Sequence, residues 1–355
     1  MHMADALISP EVGLTMWGAS VATIACCSKK VRTEAESGIV PLMGVLGAFI
    51  FTAQMINFSI PITGSSGHLG GGLILAVLLG PYAAFLTIAS VLMVQALFFA
   101  DGGLLALGCN IFNLGFFPAF IAYPLIYNKI VGISPTSTKI SIASMLSAVV
   151  GLQLGAFSVV VETVSSGISS LPFATFLAIM QPIHLAIGVV EGVVTASVIS
   201  FVYKAKPEIL QRAMEARQIC ANPMRNVVLG FLAVAVITGG ILSWFASKQP
   251  DGLEWSIARI TGQKELDGKE QGVHATLAAL QKSVAIMPDY SFKNKAEAKP
   301  AENAADPATG AEYKKGEKPP ERSKLGSSVS GIVGGTITLG LCFLIGFVLK
   351  RRSKN

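Results

Sequence analysis

Long runs of apolar residues dominate this sequence, and they limit the chain to folds that place those runs inside a lipid bilayer. Runs of about 18 or more apolar residues with few charges predict membrane-spanning helices. Only 14% of the residues are charged and 52% are hydrophobic, whereas soluble domains carry about 25% charged residues. The sequence therefore predicts an all-α polytopic membrane protein.

The apolar runs predict nine helices. Residues 69–100 are too long for one span and divide at Gly80-Pro81 into a short third helix and a fourth. The other predicted helices cover residues 11–28, 38–60, 104–128, 140–163, 174–203, 227–246 and 327–349. Residues 247–326 are hydrophilic, and the composition of 293–325 is typical of a disordered tether.

The distribution of basic residues predicts the orientation of these helices in the membrane. Fourteen of the 27 lysine and arginine residues lie in segments that nine helices would place on one side: 29–37, 129–139, 204–226 and 350–355. The short loops on the other side contain none. Because cytoplasmic loops are enriched in positive charge, we expect a cell-membrane protein with its N-terminus outside and its C-terminus in the cytoplasm. The net charge of +6 then reflects topology, and no nucleic-acid partner is expected.

The extreme N-terminus carries the most specific chemistry. The Met1 amine, the His2 backbone nitrogen and the His2 ring nitrogen can close fused chelate rings that place three nitrogens in one plane. His68, in a glycine-rich outer loop at residues 64–72, is a candidate fourth ligand. Square-planar nitrogen ligation is typical of Ni(II) or Cu(II) rather than Zn(II). The alternative is that both histidines are solvated and bind no metal.

This chemistry requires Met1 to be the mature terminus. Residues 1–28 contain Asp5 and Glu11 but no lysine or arginine, which differs from a secretory signal. We therefore expect Met1 to be retained with a free amine. The five cysteines are interpreted as small apolar residues: Cys26, Cys27, Cys109, Cys220 and Cys342.

Polar residues within predicted spans are further candidates, because polar groups in hydrocarbon need partners. Asn110 and Asn113 are three residues apart and share a helix face; they can support the metal loop or bond neighbouring helices. Gln54 and Asn57 have the same spacing and the same two interpretations.

Two more groups of polar residues lie later in the chain. His184 and Glu191 are two helical turns apart, about 10 Å, and a structural hydrogen-bond network is favoured over direct ligation. Asp251 and Glu254 are expected to begin a short helix at the membrane surface. His274 is expected to be solvated.

Four segments carry a resemblance to a known family: MHMADALISP at residues 1–10, GSSGHLG at 64–70, NIFNLGF at 110–116 and QPIHLAIGVVEG at 181–192. They resemble the CbiM/NikM family, the substrate-capture components of energy-coupling-factor importers for cobalt and nickel. The resemblance covers residues 1–205 and implies a bundle of about seven helices. It implies Met1, His2 and His68 as ligands of the transported Ni(II) or Co(II), and as partners a transmembrane coupling component and cytoplasmic ATPases.

A second resemblance lies in the C-terminal part. QPDGLEWS at residues 249–256 is similar to the small two-helix NikN/CbiN subunit, which implies a natural fusion. The expected division is a metal-capture domain at 1–205, a cytoplasmic basic linker at 206–226, and a two-helix module at 227–349 with its extracytoplasmic segment at 247–326. A cytoplasmic tail follows at 350–355.

Several functions remain open at this point. No Gly-x-x-x-x-Gly-Lys-Ser/Thr loop occurs, so the chain is expected to be a transport subunit whose ATP hydrolysis comes from partners. The first seven residues favour the nickel branch; the alternative is a cobalt importer component for cobalamin synthesis. Two further functions compete with metal import: a membrane enzyme that uses His184 and Glu191, and a passive channel or structural subunit.

Overall fold

The computed structural model of the chain describes residues 2–34, 39–206, 225–263, 266, 272–292 and 324–351. Eleven helices of eight or more residues, one two-stranded hairpin and three short 3-10 helices (Asp5–Leu7, Leu242–Phe245 and Pro288–Tyr290) make up this part of the chain. The first half contains α1 (Pro10–Glu34), α2 (Ile39–Gln54), β1 (Phe58–Ile60), β2 (Ser65–Gly67), α3 (Gly72–Leu79), α4 (Pro81–Phe99) and α5 (Leu107–Val131). The second half contains α6 (Ser137–Ser166), α7 (Phe173–Ala205), α8 (Arg225–Gly240), α9 (Gly252–Thr261), α10 (Val273–Val284) and α11 (Lys324–Arg351).

The protein is a polytopic membrane protein, and each of the nine predicted segments contains a helix, although the segment predicted at 38–60 is helical only to Gln54 and ends in β1. Among the described residues, five helices are long and apolar enough to cross a membrane: α4, α5, α6, α7 and α11. Helices α2 and α8 are apolar but have 16 residues each, about 24 Å, against a hydrocarbon core of about 30 Å.

Helix α3 is the short third helix that the sequence predicts. This helix has eight residues and is therefore only about 12 Å long. The chain ahead of it forms the β1–β2 hairpin, in which Phe58 pairs with Gly67 and Ile60 with Ser65. The break at Gly80-Pro81 is confirmed: Gly80 has φ +78°, and Pro81 begins α4.

Helix α5 departs from regular α geometry in its middle. Residues 112–127 have π-helical hydrogen bonding, and Pro118 and Pro124 lie within them. Since proline has no backbone N–H, each interrupts the α pattern of hydrogen bonds.

Helix α4 lies at the centre of the described structure. It packs against α1, α2, α3, α5 and α11, while α6 and α7 pair along their length and α6 also contacts α5. Helices α8 and α11 pack against α2 and against each other. The division into domains at 205, 226 and 349 remains a prediction; residues 207–224 of the expected linker, residues 293–323 of the expected tether and Cys220 lie outside the described residues.

Small residues allow α8 and α11 to approach each other closely, as is common between membrane helices. A Cβ atom added at Gly331 of α11 would lie 2.6 Å from the Cα atom of Gly239 in α8. That distance is shorter than real Cβ contacts, and the neighbouring atom belongs to the backbone. The two helices can therefore keep this spacing only with glycine at position 331.

We predict that Gly331→Ala lowers thermal stability, because overpacking costs about 1–3 kcal/mol. The measurement is the unfolding temperature of the purified protein in detergent. Gly340→Ala in the same helix is the matched control, since a Cβ atom there meets nothing within 4 Å. Equal unfolding temperatures for the two variants would contradict the close contact between α8 and α11.

Candidate metal site

Residues 2–9, called the N-terminal strand below because they precede α1 without forming a long helix, are anchored inside the protein through the backbone of Met3. Asn110 of α5 accepts a hydrogen bond from Met3 N at 2.8 Å and donates one to Met3 O at 3.2 Å. Gly103 N also donates to Met3 O at 2.9 Å. The Met3 side chain is fully buried. These contacts fix the N-terminal strand between α5 and the turn at residues 101–103.

Two further contacts hold the residues that follow. Asp5 Oδ1 accepts a hydrogen bond from Ala106 N at 3.0 Å. His274 Nε2 donates to Ile8 O at 2.9 Å, and His274 is buried. The prediction that His274 is solvated is therefore wrong, because α10 packs over the N-terminal strand and its histidine supplies a donor for a backbone carbonyl.

The structure brings His2 and His68 together. Their ring centroids are 4.8 Å apart and their planes differ by 7°. Imidazoles that occupy adjacent corners of one square, with metal–nitrogen distances of about 2 Å, have centroids about 4–5 Å apart and can lie in one plane. The observed centroid distance lies in this range, while the two rings are stacked face to face rather than side by side in one plane. Met1, the third predicted ligand, lies outside the described residues.

Local contacts set the tautomer and the charge of the His68 ring. His68 Nδ1 lies 3.0 Å from the carbonyl oxygen of Leu69; because a carbonyl can only accept, Nδ1 carries the proton and Nε2 carries the lone pair. Burial lowers the pKa of His68 to about 3. The ring is therefore neutral at physiological pH, the form that binds metal ions.

His2 faces a carboxylate, that of Asp101, which is not among the residues singled out from the sequence. His2 Nδ1 lies 3.2 Å from Asp101 Oδ1, and His2 Nε2 has no partner among the described residues. Burial lowers the pKa of His2, although the nearby Asp101 opposes this effect. Burial alone would raise the pKa of Asp101, but the charge of His2 and a hydrogen bond from Tyr290 lower it instead. A chelate through Nδ1 would replace the proton there and place the ion beside Asp101.

Side chains from two helices, α2 and α7, bind the backbone of the loop that carries His68. Gln54 Nε2 of α2 donates to Gly70 O at 2.8 Å. Glu191 of α7 accepts from Gly70 N at 3.0 Å and from Gly71 N at 2.9 Å. Gly71 has φ +75°, a conformation that favours glycine. Gln54 and Glu191 thus support the loop through its backbone.

The predicted pairing of Gln54 with Asn57 on one helix face is wrong, since α2 ends at Gln54. Asn57 lies beyond the helix, and its carbonyl accepts a hydrogen bond from Ser247 N at 2.7 Å. Asn113 differs in role from Asn110, because its Nδ2 donates to Glu162 Oε2 in α6 at 2.8 Å. Glu162 is a buried carboxylate that sequence reasoning missed; its place among the apolar residues of α6 was the available signal.

His184 lies on the other side of the His68 loop. Its Nδ1 donates to Met180 O at 2.8 Å, and its Nε2 has no partner among the described residues. A cavity of about 10 Å³ lies beside it, lined in part by His68, Ile187 and Gly252. This volume is about that of one water molecule. His184 is therefore a neighbour of the candidate site, held by its own helix.

The C-terminal part of the chain contacts the His68 loop directly. Ser66 donates to Pro250 O and Gln249 O, from its backbone N and its hydroxyl, each at 2.7 Å. Trp255 Nε1 donates to Thr63 O at 3.0 Å. Asp251 caps α9, where it accepts from the backbone nitrogen of Glu254, so the predicted helix start at these residues is confirmed.

In the part of the chain that the structure describes, no group of three or more histidine, cysteine, aspartate or glutamate side chains could hold a metal ion. Two imidazoles do meet at the end of the N-terminal strand.

Comparisons with known proteins agree with this architecture. Residues 2–209 match the family model CbiM, described as "Cobalt uptake substrate-specific transmembrane region", and residues 225–351 match the PDGLE domain. NikMN of Rhodobacter capsulatus, named as a fused nickel transport protein, is 29% identical over 318 residues, which are 82% of this chain and 88% of that protein. NikMN of Archaeoglobus fulgidus, also named for fused nickel transport, is 32% identical over 212 residues, 60% of this chain and 68% of that protein.

A solved structure is also similar. The crystal structure of a truncated transition metal transporter has a TM-score of 0.51 and 30% identity, and it covers 57% of this chain and 99% of that one. These matches confirm the prediction of a transport protein rather than an enzyme. The chain therefore belongs to the CbiM family of substrate-specific transmembrane regions for cobalt uptake, and it carries a PDGLE domain in the same polypeptide.

Proposed function

We propose that this protein is the substrate-specific membrane component of an ATP-driven energy-coupling-factor importer for Ni(II). The ion is bound from outside by the Met1 amine, the His2 amide and imidazole, and the His68 imidazole. The single observation that carries the proposal is the proximity of the His2 and His68 imidazoles, whose ring centroids are 4.8 Å apart. The N-terminal segment that carries His2 and the loop that carries His68 are each fixed by buried hydrogen bonds.

The choice of nickel rests on two arguments. Both relatives described above that are named as fused proteins are also named for nickel transport. A site of four planar nitrogens suits Ni(II) by geometry. Co(II) is the alternative substrate, and the name of the matching family refers to cobalt uptake.

The orientation and the division of labour follow from the sequence. The N-terminus and the segment around residues 247–292 lie outside, and the basic inner segments face the cytoplasm. A transmembrane coupling component and cytoplasmic ATPases drive release of the ion inward. The two helices α8 and α11, with the outer segment between them, act as a module that completes the outer face of residues 1–205.

An enzyme that uses His184 and Glu191 has no support in the geometry. Glu191 uses both carboxylate oxygens to accept from Gly70 N and Gly71 N. His184 is held by a carbonyl of its own helix. Glu191 is therefore committed to structural hydrogen bonds, while His184 uses one ring nitrogen in this way and its Nε2 has no partner among the described residues.

The terminal amine is the ligand that is easiest to remove. We predict that one extra residue ahead of Met1 weakens nickel binding by more than about 100-fold, since loss of outer-shell partners alone typically costs 10–100-fold. Isothermal calorimetry on the purified protein measures this. The control carries the same residue inserted after Ile133, an exposed position between α5 and α6. Unchanged affinity in the N-terminally extended protein would exclude the Met1 amine as a ligand.

The support of the His68 loop gives a second prediction. Glu191→Gln replaces one of the two acceptor oxygens with an amide NH2 group. This group is a donor, and it would face the donor N–H of Gly70 or Gly71. The loop must shift, and we expect nickel affinity to fall about 10-fold. Glu162→Gln is the matched control, because it alters a buried carboxylate on the adjacent helix that bonds Asn113 and Ser158 instead. Equal affinities for both variants would show that Glu191 does not hold the metal loop.

Coupling to ATPases separates an importer from a passive channel. We expect nickel accumulation in cells only when the coupling component and active ATPases are expressed with this protein. ATPase variants that cannot hydrolyse ATP should abolish accumulation while the purified protein still binds nickel. Accumulation that is independent of the ATPases would favour the channel.

A further inference from the structure

A tyrosine from the C-terminal module reaches the candidate metal site through a carboxylate. Tyr290 Oη donates to Asp101 Oδ2 at 2.5 Å. The other oxygen of the same carboxylate, Oδ1, lies 3.2 Å from His2 Nδ1. The first distance is typical of a short, charge-assisted O–H···O⁻ hydrogen bond. One carboxylate thus joins the C-terminal module to the histidine at the chain terminus.

The position of Tyr290 is defined by its surroundings. The residue is buried, its ring stacks on Phe99 with centroids 5.1 Å apart, and Phe51 contacts it edge-on at 6.3 Å. Asp289 and Tyr290 have φ values of +51° and +57°. Such conformations are uncommon for residues other than glycine and persist where packing determines them, often at functional sites.

The turn that carries Asp101 is held by the same part of the C-terminal module. Gln281 Nε2 donates to Ala96 O at 2.9 Å and to Gly102 O at 2.7 Å. Ile286 N and Met287 N both donate to Phe98 O. Residues 281–290 therefore fix the backbone of this turn as well as the carboxylate side chain.

We propose that Asp101, oriented by Tyr290, is the carboxylate that compensates the charge of the bound ion. The inference rests on the proposed function, since it assumes a divalent ion at His2 Nδ1. An ion that has displaced one amide proton still carries a net positive charge in a buried site, and a buried charge needs a partner. Asp101 Oδ1 already lies against the nitrogen that would bind the ion. Tyr290 is a positioning residue, because it acts only through Asp101.

The test is a double-mutant cycle on nickel affinity, measured by calorimetry with Asp101→Asn, Tyr290→Phe and the double variant. We expect Asp101→Asn to weaken binding about 10–100-fold and Tyr290→Phe about 10-fold, as for other outer-shell partners of metal ligands. The double variant should bind no more weakly than Asp101→Asn alone, since the hydroxyl acts through the carboxylate. The visible absorption band of the nickel-saturated protein should shift in both single variants.

Tyr203→Phe is the matched control, because it removes another tyrosine hydroxyl, which donates to Pro135 O at 2.9 Å, far along the chain from the site. Its affinity and absorption band should equal those of the unmodified protein. Additive losses in the double variant, or wild-type affinity in Tyr290→Phe, would overturn the role of Tyr290. Wild-type affinity in Asp101→Asn would overturn the whole inference, even if Tyr290→Phe fails to fold.

The unmodified protein separates this inference from the proposed function. If it binds no nickel in the same calorimeter, the proposed function itself fails. If it binds nickel and the N-terminal extension abolishes binding, but Asp101→Asn has no effect, only the charge-compensating role is wrong.

Discussion

The hydrogen bonds between the Met3 backbone and Asn110 are the interaction on which the candidate site depends. Together with Gly103 N, they fix both polar groups of one residue in the N-terminal strand. A chain terminus is ordinarily free to fray. Here a buried amide from a membrane-embedded helix prevents that, so His2, one residue away, has a defined position opposite His68.

The PDGLE domain adds to the same site from the other end of the sequence. Its residues 249–255 contact the loop that carries His68, and its residues 281–290 hold the turn that carries Asp101. Both the loop that carries His68 and the turn that carries Asp101 therefore touch the PDGLE domain. Fusion in one polypeptide keeps the two parts at a high effective concentration, and the structure shows them in contact at the residues nearest to the two imidazoles.

The helices were predictable because each apolar run in a bilayer must form its backbone hydrogen bonds within its own segment. Gly80-Pro81 and the capping residue Asp251 also mark real boundaries. The predictions for Asn57 and His274 failed for one reason: segments outside the long helices fold back onto the bundle, and composition alone cannot show that. Asp101, Glu162 and Tyr290 were missed because their partners are distant in sequence; Tyr290 and Asp101 are 189 residues apart. Periodicity describes local structure and does not report such contacts.

The central claim is that the chain terminus and His68 form one planar site of four nitrogens. X-ray absorption spectroscopy at the nickel edge of the purified, nickel-loaded protein tests it most directly. The account predicts four nitrogen donors at one short distance, two of them imidazoles, with the pre-edge signature of a square-planar Ni(II) ion. A six-coordinate ion with mixed oxygen and nitrogen donors, or a site with no imidazole contribution, would contradict it.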